Sequence, residues 1–278
     1  MSADKRTACA LCQQIRPLRE SHIIPEFLHG PLYEDTIRRF NTYGLDGRPK
    51  TGFLQKGQHE HLLCDECEQR FCVYENWASG FYKGAIAAFS NTTRSEIPYG
   101  KKLRFTRIDS DGNPTMTAVP TKLIADGFDY AKMKLFLLSI LWRMGMSQSY
   151  FFSGLTLGFQ EKRIRRMLLE DDPGSAERYA CQLRLIHLDG RLITDYQSQP
   201  RQFDYCGRKC CRLFSTGFRF DFMVSNHPPD PKFVELYCVK PQPQYVCWVD
   251  SILTHPDLAG ELREFGAAMK WTKDRDPQ

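Results

Sequence analysis

At 278 residues and 32.3 kDa, the chain is long enough for one large domain or two ordinary ones with a substantial core. Hydrophobic residues make up 42% and charged residues 26%, the balance of a soluble globular protein, and the apolar run at 135–142 is broken by Arg143, far short of the roughly 20 residues a bilayer needs. The net charge of +5 permits nucleic-acid binding without requiring it: residues 1–102 carry 14 Lys+Arg against 12 Asp+Glu, and 103–278 carry 24 against 21, so neither part is a polybasic tail.

The first six residues hold no apolar stretch that would read as a secretory signal, which leads us to expect a cytoplasmic protein with no membrane partner. In that reducing setting the 11 cysteines favour metal binding or buried thiols over a disulfide framework. Cys9 and Cys12 form one Cys-x-x-Cys pair and Cys64 and Cys67 another. Thiolates two residues apart can reach a single tetrahedral zinc, although the 51 residues between the pairs exceed the usual ribbon spacing. The bland alternative is four buried cysteines paired only by sequence.

Between the pairs, Ser21-His22-Ile23-Ile24-Pro25 reads as a strand or stiff turn, since Pro25 forces Ile24 out of helical conformation. Residues 30–58 are rich in Gly, Pro, Asn and Asp and read as a long excursion. From Asp65 onward, Phe71, Tyr74, Ala78, Phe81 and Ala85 recur at helical steps, with Asp65, Glu66 and Glu68 suiting the positive end of the helix dipole. The polar stretch 91–102 is the best boundary, dividing a 1–90 module from a 103–278 domain.

In the second part, strands at 103–108 and 115–119 flank Asp109-Ser110-Asp111-Gly112-Asn113 as a hairpin. Residues 130–146 read as a strongly apolar helix, and 159–169 as a shorter one carrying Lys162, Arg163, Arg165 and Arg166. That basic cluster is better read as a solvated helix face than as a second nucleic-acid contact. Strand-like stretches follow at 180–188, 191–194, 213–224, 233–239 and 245–249, with a closing helix near 257–271. Cys206, Cys210 and Cys211 have no matching pair elsewhere to complete a second zinc site. No glycine-rich phosphate loop, G-x-S-x-G or H-E-x-x-H occurs, so those enzyme classes find no support.

The order Cys-x-x-Cys, Ser-His-Ile-Ile-Pro, Leu-Leu-Cys-x-x-Cys-Glu resembles the HNH endonuclease motif, a ββα-metal fold built on a treble-clef zinc knuckle. More narrowly, it is similar to bacterial HNH-like proteins carrying these same strings. The resemblance covers residues 9 to about 80, under a third of the chain. It implies structural zinc on Cys9, Cys12, Cys64 and Cys67. It further implies His22 as general base, Glu68 at the position that ligates a catalytic Mg²⁺ or Mn²⁺, and His59 where many members carry an Asn that orients the base. Ser21 departs from the pattern, because the residue before the base is commonly an Asp or His ligand; Glu68, in place of the usual Asn or His, would restore the missing negative charge.

Glu75 lies two helical turns beyond Glu68 on the same face and is a further candidate for the ion, its alternative being a solvated helix carboxylate. Arg16, Arg19, Arg38 and Arg39 are candidates to position phosphates, or else scattered solubility charges. The expected fold is α+β: an N-terminal HNH-like zinc module beside a larger mixed domain with an antiparallel sheet. The expected activity is metal-dependent hydrolysis of phosphodiester bonds in DNA, in bacterial defence, with a homodimer or two successive events needed to cut both strands. The rivals are a treble-clef module that binds nucleic acid or a protein without catalysis, and an RNase.

Overall fold

The computed structural model describes residues 7–32, 40–43, 49–54, 57–90, 103–194, 196–225, 227–254, 259–260 and 263. The N-terminal part is a succession of short two-stranded ribbons. Strand β1 (Thr7–Ala8) pairs with β2 (Ile15–Arg16), and β3 (Leu18–His22) is followed by β4 (Phe40–Tyr43), which pairs with β5 (Pro49–Leu54). Strand β6 (His59–Cys64) returns antiparallel to β3. The excursion at 30–58 is thus partly ordered into a hairpin.

Helix α1 (Asp65–Phe89) follows β6 without a break. Its N-cap residue, Cys64, makes no side-chain capping bond; Asp65, Glu66 and Glu68 in the first turn compensate the exposed N–H groups electrostatically. The periodic face read from the sequence is the buried one: Phe71, Tyr74, Ala78, Phe81 and Ala85 are all inside.

Strands β7 (Arg104–Ile108) and β8 (Lys122–Asp126) lead to helix α2 (Tyr130–Met146) and helix α3 (Gln160–Leu169). Asp129 caps α2 by accepting from the Lys132 N–H at 3.1 Å. Every residue of α2 from Met133 to Met144 is buried, the mark of a helix at the centre of a core rather than on its surface. Two of those residues are charged. Lys134 is completely buried and donates to the Tyr179 carbonyl at 2.7 Å; Arg143 is turned toward the N-terminal part.

The remaining elements are β9 (Cys181–Leu188), β10 (Arg191–Leu192), β11 (Arg201–Tyr205), β12 (Arg208–Ser215), β13 (Phe218–Met223), helix α4 (Pro231–Tyr237) and β14 (Gln244–Ser251). They complete an eight-stranded sheet of order β11-β12-β13-β9-β14-β8-β7, with β10 added to β9. The sheet is mixed: β14 runs parallel to β9, and the other pairs are antiparallel. One face, with Leu213, Phe218, Phe220, Phe222, Leu183, Leu185, Tyr245 and Leu123, joins α1 and α2 in one apolar core that extends to Leu11, Ile23 and Leu63. Residues from both sides of the 91–102 stretch line this core. The other face carries the ion pairs Arg184–Asp250 (2.8 Å) and Arg212–Asp221 (2.6 Å).

Four expectations change. The Asp109 turn forms, its carboxylate accepting from the Asp111 and Asn113 N–H groups, but the partner strand is β8 and not 115–119. Pro114 and Pro120 lack the donors a ladder needs, and Met116 and Val119 stay exposed whereas Leu123 and Ala125 are fully buried. The run 213–224 is split by a tight turn, with Thr216 (φ 44°) and Gly217 (φ 88°) both left-handed, as a two-residue hairpin requires. Residues 231–237 are helical rather than extended. Asp230 accepts from the Lys232 N–H at 2.7 Å and Pro231 opens the helix, so the cap outweighs the β-prone side chains. Strand β11 adds an edge that the sequence reading omitted. The 91–102 boundary and nearly all of the closing helix at 257–271 lie outside the described residues.

Candidate metal centre and adjoining polar site

Cys9 and Cys12 occupy the turn between β1 and β2. That turn closes through hydrogen bonds from the Cys9 N–H to Gln14 O (2.9 Å) and from the Gln13 N–H to Cys9 O (2.8 Å), with Gln13 left-handed at φ 62°. The Ala10 N–H donates to Leu62 O at 3.0 Å, docking the turn on β6. Cys64 ends β6, and Cys67 lies in the first turn of α1. The strand-to-helix junction therefore brings the second pair to the first.

All four sulfurs lie within 4.8 Å of one another, and those of Cys12 and Cys64 are 3.8 Å apart. A Zn–S bond of about 2.3 Å in tetrahedral geometry separates the sulfurs by about 3.8 Å. The Cys64 N–H points at Cys9 Sγ from 3.3 Å. Burial, reinforced by the Cys64 and Cys9 sulfurs, pushes the Cys67 thiol up. The cluster can hold a metal ion such as zinc, and Cys9, Cys12, Cys64 and Cys67 are the residues that would do so.

Toward the end of the β3–β6 ribbon away from Cys64, the register sets His22 opposite His59 and Ser21 opposite Glu60. The two imidazoles face one another with centroids 6.3 Å apart. His59 Nδ1 is 3.2 Å from Gly57 O; a carbonyl only accepts, so this bond assigns the proton to Nδ1. Nε2 of the same ring is 3.9 Å from Glu20. Gly57 is left-handed at φ 72°, and an added Cβ would sit 2.7 Å from the ring of His29. That ring is buried against the Ile24 carbonyl at 3.0 Å, and burial pushes its titration down to about 4.

Glu68 enters the same space from α1. Ser21 is completely buried; its Oγ accepts from the Leu63 N–H at 3.2 Å, and it lies near the Glu68 carboxyl group. Glu68 Oε1 is buried with no hydrogen-bond partner. Burial raises the Glu68 titration and Glu75 adds to this, while Ser21, Arg143 and His22 oppose it. Glu68 Oε1 is a single carboxylate atom; among the described residues, the four cysteines are the only group of three or more His, Cys, Asp or Glu side chains placed to hold a metal ion.

Glu75 is held by Arg143, whose Nη2 donates to Oε1 at 2.6 Å. Arg143, only 1% exposed, also donates from Nη1 to the His22 carbonyl at 2.7 Å and bonds Ser139 twice at 3.3 Å. Its guanidinium lies 5.3 Å from the Phe71 ring centroid. A second tie fastens the end of α2 to β6: the Ser147 hydroxyl and the Gln148 and Ser149 N–H groups all donate to Glu60.

Of the sequence-predicted residues, the four cysteines converge; His22 stands opposite His59 at the end of the β3–β6 ribbon away from Cys64, and Glu68 is near enough to His22 to interact with it electrostatically. Arg16 pairs with Glu66 and Arg19 with Asp65 (2.9 Å), both on the first turn of α1. Arg38 and Arg39 lie outside the described residues. In α3, Arg165 donates to Leu11 O at 3.1 Å, whereas Lys162, Arg163 and Arg166 are exposed. Arg143 was missed as a site residue; its signal was an arginine placed inside a run of apolar helix positions.

No protein-family model matches the chain, and no curated protein or solved structure matches it.

Proposed function

We propose that the chain is an HNH-like, metal-dependent endonuclease that hydrolyses phosphodiester bonds in DNA. The observation that carries this reading is Glu68 Oε1, buried and without a hydrogen-bond partner, near His22 and on the residue that follows Cys67 of the cysteine cluster. The order of knuckle turn, β3–β6 ribbon and α1 supports a treble clef as the finer description of the N-terminal fold.

Glu68 would hold Mg²⁺ or Mn²⁺, which supplies charge neutralisation at the scissile phosphate. His22 accepts a proton from water aligned against phosphorus, and in-line attack breaks the bond to the leaving sugar oxygen. Ser21 ties β3 to the Leu63 N–H next to Cys64, and His59 stands across the ribbon from His22. Arg16 in β2 and Arg19 in β3, paired with carboxylates on the first turn of α1, exchange those partners for backbone phosphates.

The test is cleavage of supercoiled plasmid and of RNA by the zinc-loaded protein in Mg²⁺, Mn²⁺, Ni²⁺ or EDTA, beside His22→Ala. Divalent-dependent nicking of plasmid that the variant lacks supports the proposal. Cleavage confined to RNA makes the protein an RNase, and identical behaviour of the two proteins makes it a non-catalytic zinc module.

A further inference from the structure

Helix α2 is apolar around Arg143: Ile140, Leu141, Trp142 and Met144 are all fully buried. Taking a guanidinium out of water is costly, and an apolar side chain of similar volume would pack in its place without that cost. The contacts that offset the cost are spread over three elements: the Glu75 carboxylate on α1, Ser139 on α2 and the backbone carbonyl of His22 at the end of β3. The peptide after His22 is held on both sides, since Ile23 N–H donates to Gln58 O at 2.9 Å while Arg143 takes the carbonyl. Once that peptide plane and the His22–His59 pairing are fixed, the Cα–Cβ direction of His22 is fixed as well.

We infer that Arg143 is a positioning residue for His22, with Glu75 as its counter-ion. The planar fork of the guanidinium lets one side chain meet a carboxylate and a carbonyl together, which a lysine ammonium on its flexible stem does not reproduce. The consequence is that α2, from the part of the chain beyond residue 103, is a structural component of the site, and the zinc module alone leaves the end of β3 unsupported. The inference rests on the nuclease reading only where cleavage is measured.

The experiment uses the full zinc-loaded chain with Arg143→Met and with Arg143→Met/Glu75→Gln. The single variant strands a carboxylate and lowers the melting temperature; the double variant removes that carboxylate and recovers it. In both variants the ring ¹⁵N–¹H signals of His22 shift or broaden, while those of His187, packed on Phe89, remain in place. The single-turnover cleavage rate falls about 10–100-fold, the scale of a displaced catalytic group, with KM for DNA little changed. Native His22 signals in the double variant overturn the inference, as does recovery of cleavage along with stability. Should wild type fail to cleave while the His22 signals still move, the nuclease reading falls and the positioning role stands.

Discussion

The completely buried hydroxyl oxygen of Ser21 accepts from the Leu63 N–H at 3.2 Å, tying β3 to β6 one position before Cys64. Under the proposed nuclease reading, Ser21 stands where the HNH pattern carries a metal ligand, and Glu68 is the ligand in its place. We expect Glu68→Ala to abolish divalent-dependent cleavage while zinc content stays native. Ser21→Ala leaves the buried Leu63 N–H without its acceptor and should cost about 1–3 kcal/mol in denaturant unfolding, with cleavage reduced and not lost. Full activity in Glu68→Ala would remove that residue from the mechanism.

Removing the metal tests the cysteine cluster independently of any activity. Structural zinc contributes apparent folding free energy on the order of 10 kcal/mol, and this N-terminal part otherwise consists of short ribbons. Purified protein should carry zinc by elemental analysis. Cys67→Ser should lose it, and with it the protection of β3 and β6 amides from hydrogen exchange, since their register ends at Cys64. Native exchange in the metal-free variant would show that the cluster is packing alone.

His29 sets a pH dependence. The unfolded chain protonates this imidazole near its ordinary 6.5, whereas burial pushes the folded value down to about 4. Between those values the unfolded state binds more protons, so stability falls as pH drops from 6.5 and levels off below 4, by about 3 kcal/mol in total. Chemical denaturation at pH 7 and pH 5 should show the loss in wild type and a smaller one in His29→Gln.

Gly57 sits between two histidines, its carbonyl accepting from His59 and its Cα facing the His29 ring. A Cβ there meets ring atoms at 2.7 Å in a left-handed residue; the backbone term alone is about 1–2 kcal/mol, and the contact adds to it. Gly57→Ala should therefore lower the melting temperature and shift the His59 ring signals. An unchanged melting curve would mean that the His29 ring moves aside freely.

Much of the site was legible because its signals are local. Each Cys pair is written within four residues, and the apolar spacing of α1 identifies the helix that carries Cys67, Glu68 and Glu75. The apolar run of α2 likewise predicts its bounds, Tyr130–Met146. Arg143 was not legible as a site residue, because its bond to His22 spans 121 positions and depends on how α2 docks. The parallel pairing of β14 with β9 is tertiary in the same sense. The Thr216-Gly217 turn and the Asp230-Pro231 cap were local and readable; there, β-prone side chains masked the backbone signals that decided the structure.

The central claim is that His22 acts as general base beside a cation held by Glu68. The most direct measurement is the single-turnover nicking rate of supercoiled plasmid in Mn²⁺ for zinc-loaded wild type and His22→Ala. Loss of a general base predicts a fall of about 10²–10⁴-fold with zinc content and melting temperature unchanged, whereas equal rates in the two proteins would contradict the account.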